Sequence, residues 1–166
     1  MEQERYFRSE DRDPDYLAYD DTRSEVVLMS GLPGAGKDRW VAENLSDWPV
    51  ISLDDLRRAM KISPTEKQGR VISRARELAR EHLRAGRRFV WNATNISRHT
   101  RSRLIDLVAA YRARVRIVYI ETSPDRLYEQ NRRRNDAVPD AIMARLLDQW
   151  DVPDLTEAHE VEWIAH

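Results

Sequence analysis

The chain has 166 residues, of which 41% are hydrophobic and 34% charged, and it contains no cysteine. This length suits one globular domain and is too short for two domains of ordinary size. Because there is no cysteine, disulfides and thiolate metal sites are excluded. The four histidines lack the spacing of zinc ligands. No apolar run approaches the roughly 20 residues of a membrane span, and the N-terminus lacks the apolar segment of a signal peptide. The sequence thus predicts a cytoplasmic protein without a membrane partner.

The net charge of -1 conceals a strong segregation of charge along the chain. Residues 57–134 hold 21 bases and seven acids, whereas the segments on either side are acidic. One interpretation is that the basic segment binds a polyanionic partner. The alternative is that arginine, which supplies 25 of the 28 basic residues, only solvates the outer faces of helices.

Two regions differ in their hydrophobic pattern. Residues 1–25 are polar and acidic with no clear period, and we expect them to form an arm or linker ahead of a domain at 26–166. In that domain short apolar runs predict strands at 26–30, 50–53, 88–92, 115–121 and 161–165. Helical spacing predicts helices ending near Leu45, over 66–85 and 98–112, and starting at Ser123 and Pro139. Strands that alternate with helices predict an α/β fold with a mostly parallel five-stranded sheet covered on both faces.

The segment GLPGAGKD, residues 31–38, lies between the first predicted strand and the first predicted helix. It satisfies the pattern G-x-x-x-x-G-K of a phosphate-binding loop. In such a loop the backbone amides of Gly31, Gly34, Ala35 and Gly36 turn toward phosphate groups, and the helix N-terminus adds partial positive charge. Lys37 is expected to reach the β- and γ-phosphates of ATP or another nucleoside triphosphate. The alternative, an ordinary glycine turn, does not account for the agreement of motif and context.

A second constellation, SLDDLR, follows the second predicted strand. Asp54 and Arg57 share one face if a helix begins there, whereas Asp55 is turned away by about 100°. A carboxylate beside a phosphate loop can accept a proton from an attacking hydroxyl, and a guanidinium one turn later can bind a phosphate of the acceptor. Alternatively, both aspartates only stabilise the helix N-terminus through its dipole.

Four segments resemble, in order and spacing, the motifs of bacteriophage and bacterial 5′-hydroxyl polynucleotide kinases. They are GLPGAGKD, SLDDLR, WNATN followed by SRHTR, and QNRRRNDAVP. The similarity covers nearly everything from Val26 onward. It is closest to the kinase module of bacterial RNA-repair proteins in which an HD phosphohydrolase domain is fused to the kinase. The chain has no His-Asp dipeptide and only 25 residues before the kinase-like region, so we expect neither an HD domain nor the C-terminal phosphatase of the phage-type enzyme.

The resemblance implies a P-loop kinase fold with an arginine-bearing helical lid, and an enzyme that uses ATP and Mg²⁺. It implies that Lys37 contacts the ATP phosphates and that Asp54 is the general base for a 5′-hydroxyl end of RNA or DNA. Arg57 is then expected to bind the acceptor's phosphate, and Arg134 to be the lid arginine that clamps the ATP phosphates. Further end-healing or ligase proteins are possible partners.

The resemblance also marks three residues of less defined role. Thr94 and Asn95 match the Thr-Asn pair that follows the third strand in this family, and they are expected to bind substrate. Arg126 belongs to the helix that precedes the lid arginine, and it is a weaker candidate for phosphate binding.

Two departures from the family pattern concern the metal. Asp38 replaces the serine or threonine that coordinates magnesium, and the third strand ends in Asn92-Ala93 where phage-type relatives place an aspartate immediately before the Thr-Asn pair, at position 93. Mg²⁺ prefers oxygen ligands and often binds through one or two carboxylates with water and phosphates. We therefore expect Asp38 to hold the metal directly or through water and to supply a charge that position 93 no longer offers. The competing interpretation is that Asp38 repels the triphosphate and marks an inactive site.

Two rival functions share most of these features. A P-loop kinase for a small metabolite or nucleoside would also need the loop, a catalytic carboxylate and a lid arginine. A non-catalytic sensor domain would bind ATP and transfer nothing, but it would not need Asp54 and Arg57 at their spacing.

Overall fold

A computed structural model of the chain describes residues 21–135 and 137–166. The first 20 residues of the predicted arm lie outside the described residues. Eleven elements follow in the order β1 (Ser24–Ser30), α1 (Lys37–Asn44), β2 (Val50–Ser52), α2 (Leu53–Met60), α3 (Gly69–Arg84), β3 (Phe89–Asn92), α4 (Arg98–Ala109), β4 (Ala113–Glu121), α5 (Pro124–Arg132), α6 (Asp140–Asp148) and β5 (Glu160–Ala165). Across these residues no helix combines the length and the apolar character needed to cross a membrane.

The strands form one sheet in the order β2-β3-β1-β4-β5, and every neighbouring pair is parallel. Val26 of the central strand β1 stands opposite Phe89 on β3 and Val115 on β4. The predicted α/β class and the five strands are confirmed, with ends that differ by one to two residues from the expected ones. β1 begins at Ser24 because that residue still pairs with Ala113 of β4.

Helices cover both faces of the sheet. Along β1 successive side chains point to opposite faces, so Val26 and Leu28 pack with α3 and α4 whereas Val27 and Met29 pack with α1, α5 and α6. All four side chains are almost completely buried. This double cover explains why the central strands are continuous apolar runs, as is typical of parallel sheets.

One arginine is part of the core. Arg101 on α4 is 0% exposed, and its Nε and Nη2 donate to the two carboxylate oxygens of Glu157 at 2.7 and 3.0 Å. Its Nη1 donates to the backbone carbonyls of Asn95 at 3.1 Å and Asp151 at 2.8 Å. Arg101 thereby joins α4, the loop after β3 and the segment before β5.

Candidate active site

A cleft of about 350 Å³ lies where β2 and β3 end and α1 and α2 begin. Open α/β sheets bind ligands beyond the carboxyl ends of their strands, which is where this cleft lies. Val138 and two residues of α6, Ile142 and Leu146, contribute apolar side chains to its wall. The cleft brings together eight of the predicted site residues: Gly34, Gly36, Lys37, Asp38, Asp54, Arg57, Thr94 and Arg134.

The phosphate loop connects β1 to α1 and is tied to its neighbours. The Gly31 amide donates to the Thr94 carbonyl at 2.8 Å, which holds the loop against the segment after β3. Gly34 has a φ of +86°, and a Cβ there would lie 2.8 Å from the backbone carbonyl oxygen of Leu127 on α5. Only glycine combines this backbone conformation with so close an approach. The loop therefore depends on glycine for its contact with α5.

Lys37 is the first residue of α1 and is buried beneath the loop. Its Nζ donates to the carbonyls of Gly31 at 2.8 Å and Leu32 at 3.0 Å. Burial lowers the pKa of Lys37 from 10.5 to about 8, because desolvation disfavours the ammonium; the charge of Asp38 opposes this shift and that of Arg134 adds to it. A negatively charged phosphate on the loop would restore the preference for the ammonium.

Asp54 lies in the first turn of α2, where Ser52 caps the helix by accepting the Asp55 amide at 3.2 Å. Arg57, one turn later, lies on the same face of α2 as Asp54, as the helical spacing predicts, and the two form an ion pair. Arg134 Nη2 also donates to Asp54 Oδ2 at 2.7 Å. The carboxylate therefore lies between two guanidinium groups, and a phosphate that enters the cleft can compete for either one.

Arg134 follows α5 by two residues and reaches Asp54 from the connection to α6. Asn131 shapes this connection, since its Nδ2 donates to the Val138 carbonyl at 2.7 Å and its Oδ1 accepts the Val138 amide at 3.0 Å. The Arg134 amide donates to the Asn131 carbonyl at 3.2 Å. Sequence reasoning missed Asn131; the one available signal was an amide side chain at a position that helical spacing from Leu127 places on the buried face.

Asp38, in the first turn of α1, accepts a 2.6 Å hydrogen bond at Oδ1 from Nδ2 of Asn92, the last residue of β3. In residues 21–135 and 137–166 no three His, Asp or Glu side chains are grouped to hold a metal. A magnesium ion here would therefore take most ligands from phosphates and water, with one carboxylate from the protein, which is a usual arrangement for this ion. The Asp38 carboxylate, the single acid at the loop, fits that role.

Four predicted residues lie away from the cleft wall. Asn95 is only 4% exposed, and its Nδ2 donates to the Met29 carbonyl at 2.8 Å while its own carbonyl accepts the Ser30 hydroxyl at 2.9 Å. Asn95 thus braces the loop after β3 from inside the domain. Ala35 is buried within the phosphate loop, as is Gly31, and the exposed Arg126 lies in the first turn of α5.

Comparisons with known proteins agree with this fold. Residues 26–153 match the family described as an AAA domain. A candidate kinase from Chloroflexus aurantiacus superposes with a TM-score of 0.68 at 19% identity, over 87% of this chain and 86% of that one. Kti12 of Chaetomium thermophilum, in complex with ADP-AlF3, superposes with a TM-score of 0.61 at 14% identity, over 84% of this chain and 88% of that one. A chain of a Pnkp1/Rnl/Hen1 complex superposes with a TM-score of 0.61 at 15% identity, over 74% of this chain and 44% of that one. The chain therefore belongs to the AAA domain family, and its fold is that of the P-loop kinases.

Proposed function

We propose that this protein transfers the γ-phosphoryl group of ATP, or of another nucleoside triphosphate, to the 5′-hydroxyl end of RNA or DNA. The observation that carries the proposal is the position of Asp54 and Arg57 in the same cleft as the phosphate loop. The loop accounts for nucleotide binding, whereas transfer also requires a group that accepts the proton of the attacking hydroxyl.

In the proposed reaction Asp54 accepts the proton of the 5′-hydroxyl while the oxygen of that hydroxyl forms a bond to the γ-phosphorus. The bond from the γ-phosphorus to the β-γ bridging oxygen breaks, and ADP leaves with the electron pair. Asp54 then returns its proton to water. Lys37 and Arg134 would offset negative charge on the phosphates, and Arg57 would hold a phosphate of the acceptor. Magnesium, when bound, would neutralise further charge on the β- and γ-oxygens, with Asp38 as its protein ligand.

The surface beside Asp54 supports a polyanionic acceptor. A groove of about 260 Å³ leads away from Asp54 and is lined by Arg57, Arg58 and Lys61. A separate depression, between the end of α2 and the start of α3, is lined by Lys67, Arg70 and Arg74 together with Glu77. A nucleic-acid strand presents one phosphate per nucleotide and can contact cations outside the cleft, whereas a small metabolite ends near it.

The test is transfer of labelled γ-phosphate from ATP to short 5′-hydroxyl RNA and DNA oligonucleotides, with nucleosides and sugars as competing acceptors. Asp54→Asn keeps the size of the side chain and removes the base, so the turnover rate should fall by about 10²- to 10⁴-fold while ADP affinity is retained. Asp55→Asn is the matched control, because Asp55 is exposed, lies on another face of α2 and pairs with Arg58.

Two results would contradict the proposal. Label that reaches only a nucleoside or a sugar would assign the cleft to a small acceptor. A folded, ADP-binding wild type that labels no acceptor at all would indicate a nucleotide sensor.

A further inference from the structure

The contact between Asp38 and Asn92 joins the last residue of the phosphate loop to the last residue of β3, which directly precedes Ala93, the position where phage-type polynucleotide kinases place an aspartate. P-loop enzymes hold Mg²⁺ with the serine or threonine that ends the loop and with an aspartate from a strand. Here the loop ends in a carboxylate and β3 ends in a carboxamide, and the two side chains share a 2.6 Å hydrogen bond.

The direction of this hydrogen bond is fixed by its partners. A carboxylate can only accept, so the Asn92 amide must donate. In the ordinary arrangement the helix side contributes a neutral hydroxyl and the strand contributes the charge. This chain keeps one negative charge and one neutral partner but places the charge on α1 and the neutral donor on β3.

The surroundings leave the Asp38 carboxylate available to a cation. Asp38 and Asp54 are the two acids that line the cleft in the part of the chain that the structure describes, and Asp54 is already bound by Arg57 and Arg134. Asp38 forms no ion pair with any described residue, and its Oδ2 accepts no hydrogen bond among them. Asn92, which is buried, holds Oδ1 and so restricts the rotation of the carboxylate.

We propose that Asp38 and Asn92 are an exchanged magnesium pair, in which Asp38 is the metal ligand and Asn92 is the residue that positions it. The inference rests on the nucleotide-binding half of the proposed function and does not depend on the acceptor. It explains the loss of the loop hydroxyl and the absence of a carboxylate at position 93, next to Asn92, as one compensated change.

The experiment compares ADP affinity with magnesium and with EDTA by calorimetry, and the ratio of the two dissociation constants is the readout. Because the ratio is taken within each variant, a general loss of nucleotide affinity cancels. Asp38→Ser should reduce the magnesium enhancement about tenfold or more, and Asn92→Ala should reduce it by roughly 10-fold, as is typical when a partner of a metal ligand is lost.

The decisive variant is the double substitution Asp38→Ser with Asn92→Asp, which moves the carboxylate from the end of the loop to its hydrogen-bond partner at the end of β3. Asn92→Asp alone places two carboxylates beside each other, so ADP affinity in EDTA should fall through like-charge repulsion. The double variant should return the magnesium enhancement to within about threefold of wild type, a coupling that two independent structural defects would not produce.

Either of two outcomes would overturn the inference: an unchanged enhancement in Asp38→Ser, or a double variant no better than Asp38→Ser alone. Asp38→Asn keeps the size of the side chain and reports the loss of charge if the serine variant fails to fold. No acceptor is present in these titrations. An enzyme that phosphorylates a small metabolite would therefore pass this test and fail the oligonucleotide test.

Discussion

Nucleotide binding should be coupled to protonation of Lys37 at alkaline pH. The pKa of this buried lysine is lowered to about 8, chiefly by desolvation, whereas the β- and γ-phosphates of a bound nucleotide would favour its ammonium form. Well below pH 8 the lysine is charged both in the free protein and in the nucleotide complex. Above pH 8 the free protein loses the proton, and binding must then take one up from solvent.

The size of the coupling follows from the shift. If the pKa in the complex lies well above 9, the dissociation constant for ADP should rise about twofold at pH 8 and about 10-fold at pH 9, relative to pH 7. Proton uptake per bound ADP should be about one half at pH 8 and about 0.9 at pH 9.

The lowered pKa of Lys37 also affects stability. Between pH 8 and 10.5 the unfolded chain holds more protons than the folded protein, so the free energy of unfolding should rise with pH, by about 3 kcal/mol in total.

Calorimetry of ADP binding at pH 7.5, 8 and 9, in pairs of buffers with different ionisation enthalpies, measures this uptake directly. Lys37→Arg is the control, because a guanidinium stays charged over the whole range and should take up no proton. Uptake below about 0.1 proton at pH 8 to 9 in the wild type would refute the reasoning. Equal uptake in Lys37→Arg would assign the proton to another group.

Two further predictions concern the scaffold. Arg101→Ala should lower the free energy of unfolding by about 3–5 kcal/mol because Glu157 remains buried without its partner, and replacing both residues with leucine should recover at least half of that loss. Urea unfolding measures the free energy of unfolding of both variants. A decrease of less than about 1 kcal/mol in Arg101→Ala would contradict the structural role of Arg101. Gly34→Ala should abolish detectable ADP binding because its Cβ would lie 2.8 Å from the Leu127 carbonyl oxygen, whereas Gly69→Ala, which meets nothing within 4 Å, should leave ADP affinity unchanged. Equal ADP affinities in the two glycine variants would show that the loop tolerates the displacement.

The sequence by itself determined the elements and the phosphate loop. Apolar runs bounded by polar residues predict strands, and a glycine loop between a strand and a helix is local in the chain, so neighbouring residues suffice to identify it. The shared face of Asp54 and Arg57 was predicted for the same reason, since helical geometry alone brings residues three apart together, and the structure adds their ion pair.

Only the tertiary structure decided which distant residues complete the site. The hydrogen bonds from Asn92 to Asp38 and from Arg134 to Asp54 join residues 54 and 80 positions apart, and no periodicity encodes them. Arg101 belongs to an arginine-rich segment whose composition indicates solvated helix faces, yet it is completely buried. Asn95, expected at the substrate, lies inside the domain as a brace. A polar side chain can be satisfied by water, by a ligand or by a buried partner, and the packing of helices on the sheet decides which of these it meets.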